Sequence, residues 1–392
     1  MTNQSSIPDF VFPRPRCLVS GWADLSGPAE SPVMVETTRG SVVESWHHGH
    51  AVVVDAGGRI IMRWGNIGVW IYPRSAIKPI QSLSMVEANA LSPLGLGEPE
   101  LALACSSHSG EFRHIRLLTA WMNRLRVSLE DLECPAAPPL DHEAAEEIIR
   151  RNEALSPLHN NCSGKHLGMI SLARAINASV CGYSHYDHPA QQKILQTTCE
   201  MTGLLERSGF EPSHAPWAPD GCGAPSIAMP LYHLALGMAR LADPRGLSET
   251  RIKAIQSVRR AWAQHPYLIA GRNRFDTVMM QASPGHLLMK TGAEGVACAV
   301  LPRRGLGVAL KIEDGSSRAC HVAMAALLYA LRTPIESRTV TLTELLTPAV
   351  LDGAMRPVGV SRPAAGWLVN AVPDAIAGDE TLSESGGRLI SE

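Results

Sequence analysis

The sequence predicts an α+β protein in which both chain ends build one antiparallel sheet, flanked by helices, and the middle forms an inserted helical region. Three observations predict it. "AVVVDAGGRIIMRW", residues 51–64, sets two apolar runs around a glycine turn, the pattern of a hairpin. From residue 75 to residue 264 the apolar residues recur at helical spacing. Near residue 285 short β-branched runs return.

Taken in order, residues 1–31 are rich in Pro, Ser and Gly without periodicity and read as a loose extension. The stretch from Val33 holds strand runs broken at Arg39-Gly40 and at Ala56-Gly57-Gly58. "HHGH", residues 47–50, is expected between two strands and lacks zinc spacing. Helices are expected at 75–90, 112–126, 142–154, 164–176, 189–206, 230–241 and 248–264. In the last of these, Ile252, Ile255, Val258 and Trp262 form one stripe with charges opposite. "HLLMKTG", "GVACAVLP" and "GLGVALKIEDG" read as strands, followed by helices at 318–332 and 341–352. The Pro- and Gly-rich tail beyond 356 shows no pattern. The expected division is a sheet part, 32–75 with 285–392, and a mainly helical part, 76–284. They form a single catalytic unit with its cleft at their seam, where Ser75 lies.

The bulk numbers narrow the function classes. Hydrophobic residues make up 45% and charged residues 18%, enough for a filled core. A net charge of −2, with no basic run interleaved with aromatics, argues against nucleic-acid binding. No apolar run of about 18 residues appears, so no membrane span is expected. The N-terminus has no basic segment followed by an apolar one, and the nine cysteines are scattered. A reduced, cytoplasmic protein is the expectation.

The chemistry starts at "PRSAIKP", residues 73–79. Ser75 and Lys78 are spaced to share one helix face near a helix start. Ser75 is there either as a helix cap or as a nucleophile with Lys78 as its base. "LLMKTG" adds Lys290-Thr291-Gly292 at a strand end, and the two motifs together are the pairing of penicillin-recognising serine enzymes. A second cation beside a buried lysine lowers its pKa and helps make it a base. The Ser-x-Asn or Tyr-x-Asn element of those enzymes is absent. The middle of the chain instead carries "LALACSSHSGE" (101–111), "HNNCSGKHLGMI" (159–170) and "PDGCGAPSIAMPL" (219–231). Cys162 lies three residues before Lys165 at a helix start and Cys222 in a glycine-rich turn; on their own they read as two buried cysteines in a tight turn with no metal. Glu313 and Asp314 in "KIEDG" either cap a turn or face the cleft, and the remaining cysteines are expected to be inert.

"RSAxKP", "CxSHSxE", "NCSGKHxGM", "DGC" and "KIEDG" fall in this order from about Val33 to Leu351, and in them the sequence resembles the rhizobial-type L-asparaginases. The resemblance implies a serine β-lactamase/glutaminase-like fold and hydrolysis of L-asparagine to L-aspartate and ammonia. It implies two Ser-Lys tandems, Ser75 with Lys78 and Ser107 with Lys290. It implies zinc held by Cys162, Lys165 and Cys222, with Arg74, His166 and Asp220 holding substrate or ordering the site. It also implies a homodimer. Ser75 is expected as the nucleophile with Lys78 as its base, although the two tandems could exchange roles. The alternatives are a glutaminase or other serine amidase, a non-catalytic zinc-binding homologue, and a penicillin-binding protein.

Overall fold

The computed structural model describes residues 31–206, 210–336, 341–368 and 372–373. Apart from Ser31, the expected N-terminal extension lies outside them. The chain opens with β1 (Val33–Arg39), β2 (Val42–Asp55) and β3 (Ile60–Trp64), an antiparallel meander. Gly40 and Gly58 take left-handed backbone at its two turns, as the sequence breaks require. The 51–64 hairpin is where the sequence puts it, with Ala51 opposite Trp64 and Val54 opposite Ile60.

After β4 (Trp70–Ile71) comes a 3-10 turn, Arg74–Ile77, then α1 (Lys78–Gln81) and α2 (Leu83–Glu87). The single helix expected at 75–90 is therefore broken. Pro79 has no N–H to donate, and the Ser82 hydroxyl donates to the Lys78 carbonyl at 2.9 Å. Five helices follow: α3 (Glu98–Ala104), α4 (Phe112–Leu125), α5 (His142–Arg150), α6 (Ser163–Ala175) and α7 (Pro189–Thr202). The helix expected to reach residue 206 stops at Gly203, a left-handed cap with φ +72°. β5 (Trp217–Pro219) and β6 (Pro225–Ile227) form a small hairpin, and β7 (Met229–Pro230) pairs with β4. Next come α8 (Leu231–Ala242), α9 (Glu249–Gln264), α10 (Pro266–Ile269) and α11 (Phe275–Ala282).

A second meander, β8 (Leu288–Thr291), β9 (Val296–Leu301) and β10 (Leu306–Ile312), matches the three expected strands. The chain then forms α12 (Ser317–Ala330), α13 (Leu342–Leu346), β11 (Ala349–Leu351), β12 (Pro357–Pro363) and β13 (Val372–Pro373). The helix expected at 341–352 thus ends at Leu346, and beyond Pro348 the chain pairs with β12 instead. The sheet runs β11-β12-β1-β2-β10-β9-β8, with β3 on β2 and β13 on β3; every pair is antiparallel.

His47–His50 lie inside β2 and not between two strands. The first half of β2 pairs with β1, while its second half, from Gly49 to Asp55, pairs with β10. One long strand therefore carries what reads in sequence as two. β9 is buried throughout and β10 nearly so, which covers both faces of the sheet's centre. α8 packs on β2, β9 and β10, while α12 packs on β1, β9, β10 and β12. The α8 contact needs Gly307: a Cβ there would lie 2.2 Å from the Ala235 carbonyl. No described helix is long and apolar enough to cross a membrane.

Candidate active site

Ser75 sits in the 3-10 turn that leads off β4. Arg74, just before it, takes left-handed backbone with φ 52°, at a cost of about 1 kcal/mol. Its guanidinium grips Asp220, with Nε and Nη2 both 2.7 Å from Oδ1. Asp220 belongs to the β5–β6 turn, which is closed by its N–H to the Ala224 carbonyl. The end of β8 lies against the 3-10 turn that carries Ser75: a Cβ on Gly292 would stand 2.7 Å from the Pro73 carbonyl. That is the physical need for glycine in Lys-Thr-Gly. Ser75 is half-buried, and neither its hydroxyl nor its N–H bonds to a described residue.

Ser107 has the two lysines. It follows the end of α3, anchored by its N–H to the Ile269 carbonyl at 2.9 Å. Its Oγ lies 3.1 Å from Lys78 Nζ and 3.0 Å from Lys290 Nζ. Both lysines are fully buried. Lys78 Nζ also donates to the Ser106 carbonyl at 2.5 Å and to Cys162 Sγ at 3.3 Å. Three acceptors for three N–H bonds is the pattern of an ammonium. Lys290 Nζ lies 2.7 Å from the Thr291 carbonyl and 3.6 Å from Asp276. Burial pushes Lys290 down to about 8; Asp276 opposes this, while Lys78 and Arg274 add to it. The expected pairing of Lys78 with Ser75 is not the one the hydrogen bonds make. The 106–107 loop offers Lys78 a carbonyl and a hydroxyl, and its side chain crosses to them.

The thiol cluster adjoins this pair. Cys162 caps α6, whose start is pressed onto the end of α3: a Cβ on Gly164 would lie 2.2 Å from the Leu103 carbonyl. Cys222 lies in the β5–β6 turn, and Lys165 Nζ is 3.1 Å from its sulfur. The Cys162 thiol donates to Asn161 Oδ1 at 3.2 Å. The interaction between the two cysteines pushes Cys222 down toward thiolate, helped by Lys165, and pushes Cys162 up, helped by burial. Burial lowers the Lys165 pKa, but Cys222 and Cys162 outweigh it and the ammonium form is favoured. Burial raises the Asp220 carboxyl, yet Lys165 and Arg74 hold it below its usual range. His166, wholly buried, is pushed down to about 3 by burial and Lys165. Its Nδ1 lies 2.7 Å from the Tyr183 hydroxyl, and its Nε2 meets no partner. Among the described residues, no group of three or more His, Cys, Asp or Glu is arranged to hold a metal ion. The set in question is two cysteines and a lysine. All three are buried, Lys165 touches Cys222, and two sulfurs with a nitrogen are donors whose chemistry suits zinc.

Asp276 and His108 were not singled out for a role in the sequence. Asp276 accepts from the Thr291 N–H at 3.0 Å and from its hydroxyl at 3.0 Å, which fixes the end of β8 beside Lys290. His108 ties the Ser107 loop to α6: Nε2 donates to Ser163 Oγ at 2.9 Å, and Nδ1 accepts from Gly110 N–H. Glu313 and Asp314 turn to the β2 histidines, with His50 Nε2 2.9 Å from Glu313 and His47 Nδ1 2.6 Å from Asp314. Asp314 also accepts from the Ser316 N–H, so it caps a turn as well.

A family profile described as L-asparaginase II matches residues 35–363. The chain belongs to the L-asparaginase II family. Membership brings a hydrolase activity of the asparaginase type, acting on a small amide. The match extends past Leu351 to the end of β12, a strand the sequence pattern did not reveal. No curated protein sequence matches the chain. Among solved structures, a β-lactamase from Mycobacterium bovis is similar at 12% identity and a TM-score of 0.41, over 73% of this chain and 95% of that one. A protein of Bacteroides dorei DSM 17855, provisionally named a β-lactamase, is similar at 11% identity and a TM-score of 0.37, over 68% and 85%. Both likenesses are distant.

Proposed function

We propose that this member of the L-asparaginase II family hydrolyses L-asparagine to L-aspartate and ammonia, with Ser107 as the nucleophile. The observation that carries the reading is a serine oxygen held about equally by two buried lysines. Neutral Lys290 accepts the Ser107 proton as Oγ bonds to the carboxamide carbon. The Lys78 ammonium stabilises the charge that grows on Oγ and on the carbonyl oxygen. The Ser75 N–H, unpaired among the described residues, is a further donor for that oxygen. Lys290 then passes its proton to the departing nitrogen, the C–N bond breaks and ammonia leaves. A water, deprotonated by Lys290, cleaves the ester and restores Ser107.

Arg74 and Asp220 form a charged pair suited to the α-carboxylate and α-ammonium groups of an amino acid. Fixed anchors matter because asparagine and glutamine differ by one methylene, worth only about 1–3 kcal/mol in a pocket. Cys162, Lys165 and Cys222 would hold zinc after losing their protons. Zinc there would add a positive charge to the pocket wall.

A second reading makes Ser75 the nucleophile. It is favoured by the strained Arg74 backbone and by the Ser75 hydroxyl, which has no partner among the described residues. Ammonia release from L-asparagine and L-glutamine by wild type, Ser107→Ala and Ser75→Ala separates the readings. The expected result is asparagine turnover that vanishes in Ser107→Ala and persists, reduced, in Ser75→Ala. Loss in Ser75→Ala alone supports the second reading. Faster release from glutamine makes the protein a glutaminase. No release from either amide by wild type overturns the proposal.

A further inference from the structure

The two nitrogens of His166 are treated unequally. Nδ1 meets the Tyr183 hydroxyl at 2.7 Å, while Nε2 is buried with no partner among the described residues. Tyr183 is itself fully buried, and burial pushes its phenol up, so it keeps its proton. The Glu133 N–H donates to the Tyr183 oxygen at 2.9 Å. That leaves the phenol proton one acceptor among the described residues, His166 Nδ1. The Tyr183 O–H therefore donates to Nδ1, and a neutral imidazole with a bare Nδ1 carries its proton on Nε2.

The arrangement is held from both sides. The Glu133 carboxylate accepts from the Gly182 N–H at 2.6 Å and from the Ser184 N–H at 2.9 Å, gripping the backbone on either side of Tyr183. Gln191 Nε2 donates to the Tyr183 carbonyl at 2.9 Å. The two rings meet edge to face, with centroids 5.5 Å apart.

We propose that Tyr183, gripped by Glu133, is a positioning residue that fixes His166 with its proton on Nε2, so that His166 offers the reaction pocket a hydrogen-bond donor and not a base. His166 lies one helical turn after Cys162, its N–H bonded to the Cys162 carbonyl, and next to Lys165. A buried N–H without an acceptor is costly, and an arriving carboxamide or carboxylate oxygen gives it one. The nature of that oxygen rests on the amidohydrolase reading; the tautomer does not.

The test is nitrogen-15 NMR of histidine-labelled full-length protein, with the His166 signals assigned by their loss in His166→Gln. Wild type is expected to show one tautomer, protonated at Nε2, and Tyr183→Phe a mixture. Tyr183→Phe is also expected to lower kcat/KM for asparagine about tenfold. In the His166→Gln background, Tyr183→Phe is expected to change it by no more than about twofold. A wild-type proton on Nδ1, a tautomer unmoved in Tyr183→Phe, or an equal loss in both backgrounds overturns the proposal. Absence of asparagine turnover in wild type defeats the functional reading alone, because the tautomer signals need no substrate.

Discussion

Lys290 and Lys165 are both buried, yet their surroundings drive them in opposite directions. Lys290 faces a serine hydroxyl and its own strand's carbonyl, has a carboxylate no nearer than 3.6 Å, and is pushed down to about 8. Lys165 touches the Cys222 sulfur at 3.1 Å, is acted on by Asp220, and is pushed up. Burial disfavours the cation in both. The partner decides the outcome: anionic sulfur in contact restores the cation, and a neutral hydroxyl does not. On the proposed reading, the first lysine takes a proton and the second holds an anion or, once deprotonated, a metal.

The largest expected effect breaks the first half of this contrast. Lys290→Met should cost about 10²–10⁴-fold in kcat with the fold retained, checked by ammonia release and circular dichroism. In wild type the active form of Lys290 is neutral, so kcat/KM should rise with pH through about 8 and fall about tenfold per unit well below it. Asp276 raises the Lys290 pKa, so Asp276→Asn should move this limb to lower pH.

Next comes the second half. Cys222→Ser takes the contacting thiolate from Lys165 and leaves a buried ammonium with Cys162 and Asp220 to answer it. Urea unfolding should report a loss of about 3 kcal/mol, and zinc content should fall with it. Retained stability would mean that the Lys165–Cys222 pair contributes little. The smallest effect concerns the geometry that brings the halves together. Gly292→Ala puts a methyl against the Pro73 carbonyl and should cost about 1–3 kcal/mol, with a several-fold loss in kcat/KM as the Ser75 turn shifts.

Much of the frame was legible where a pattern is local. The 51–64 hairpin and the three strands after 285 need only alternation and glycine turns, and both appear. α3 and α11 are seven and eight residues long, too short for periodicity to separate from noise; Ser107 follows the first and Asp276 lies in the first turn of the second. β12 is a strand because β1 offers it an edge, which no local signal announces. Lys78 is a similar case. Spacing pairs it with Ser75, but a lysine side chain reaches across the fold, and its partners are set by where the 106–107 loop lies. Lys165 and Cys222 were grouped only through motif resemblance, since their contact joins α6 to a hairpin turn distant in sequence.

The most direct test of the central claim is to identify the serine that carries the aspartyl ester. The protein would be acid-quenched during turnover of L-asparagine, digested and analysed by mass spectrometry. The account predicts the adduct on the peptide containing Ser107. An adduct on the Ser75 peptide, or turnover with no ester on either serine, would contradict it.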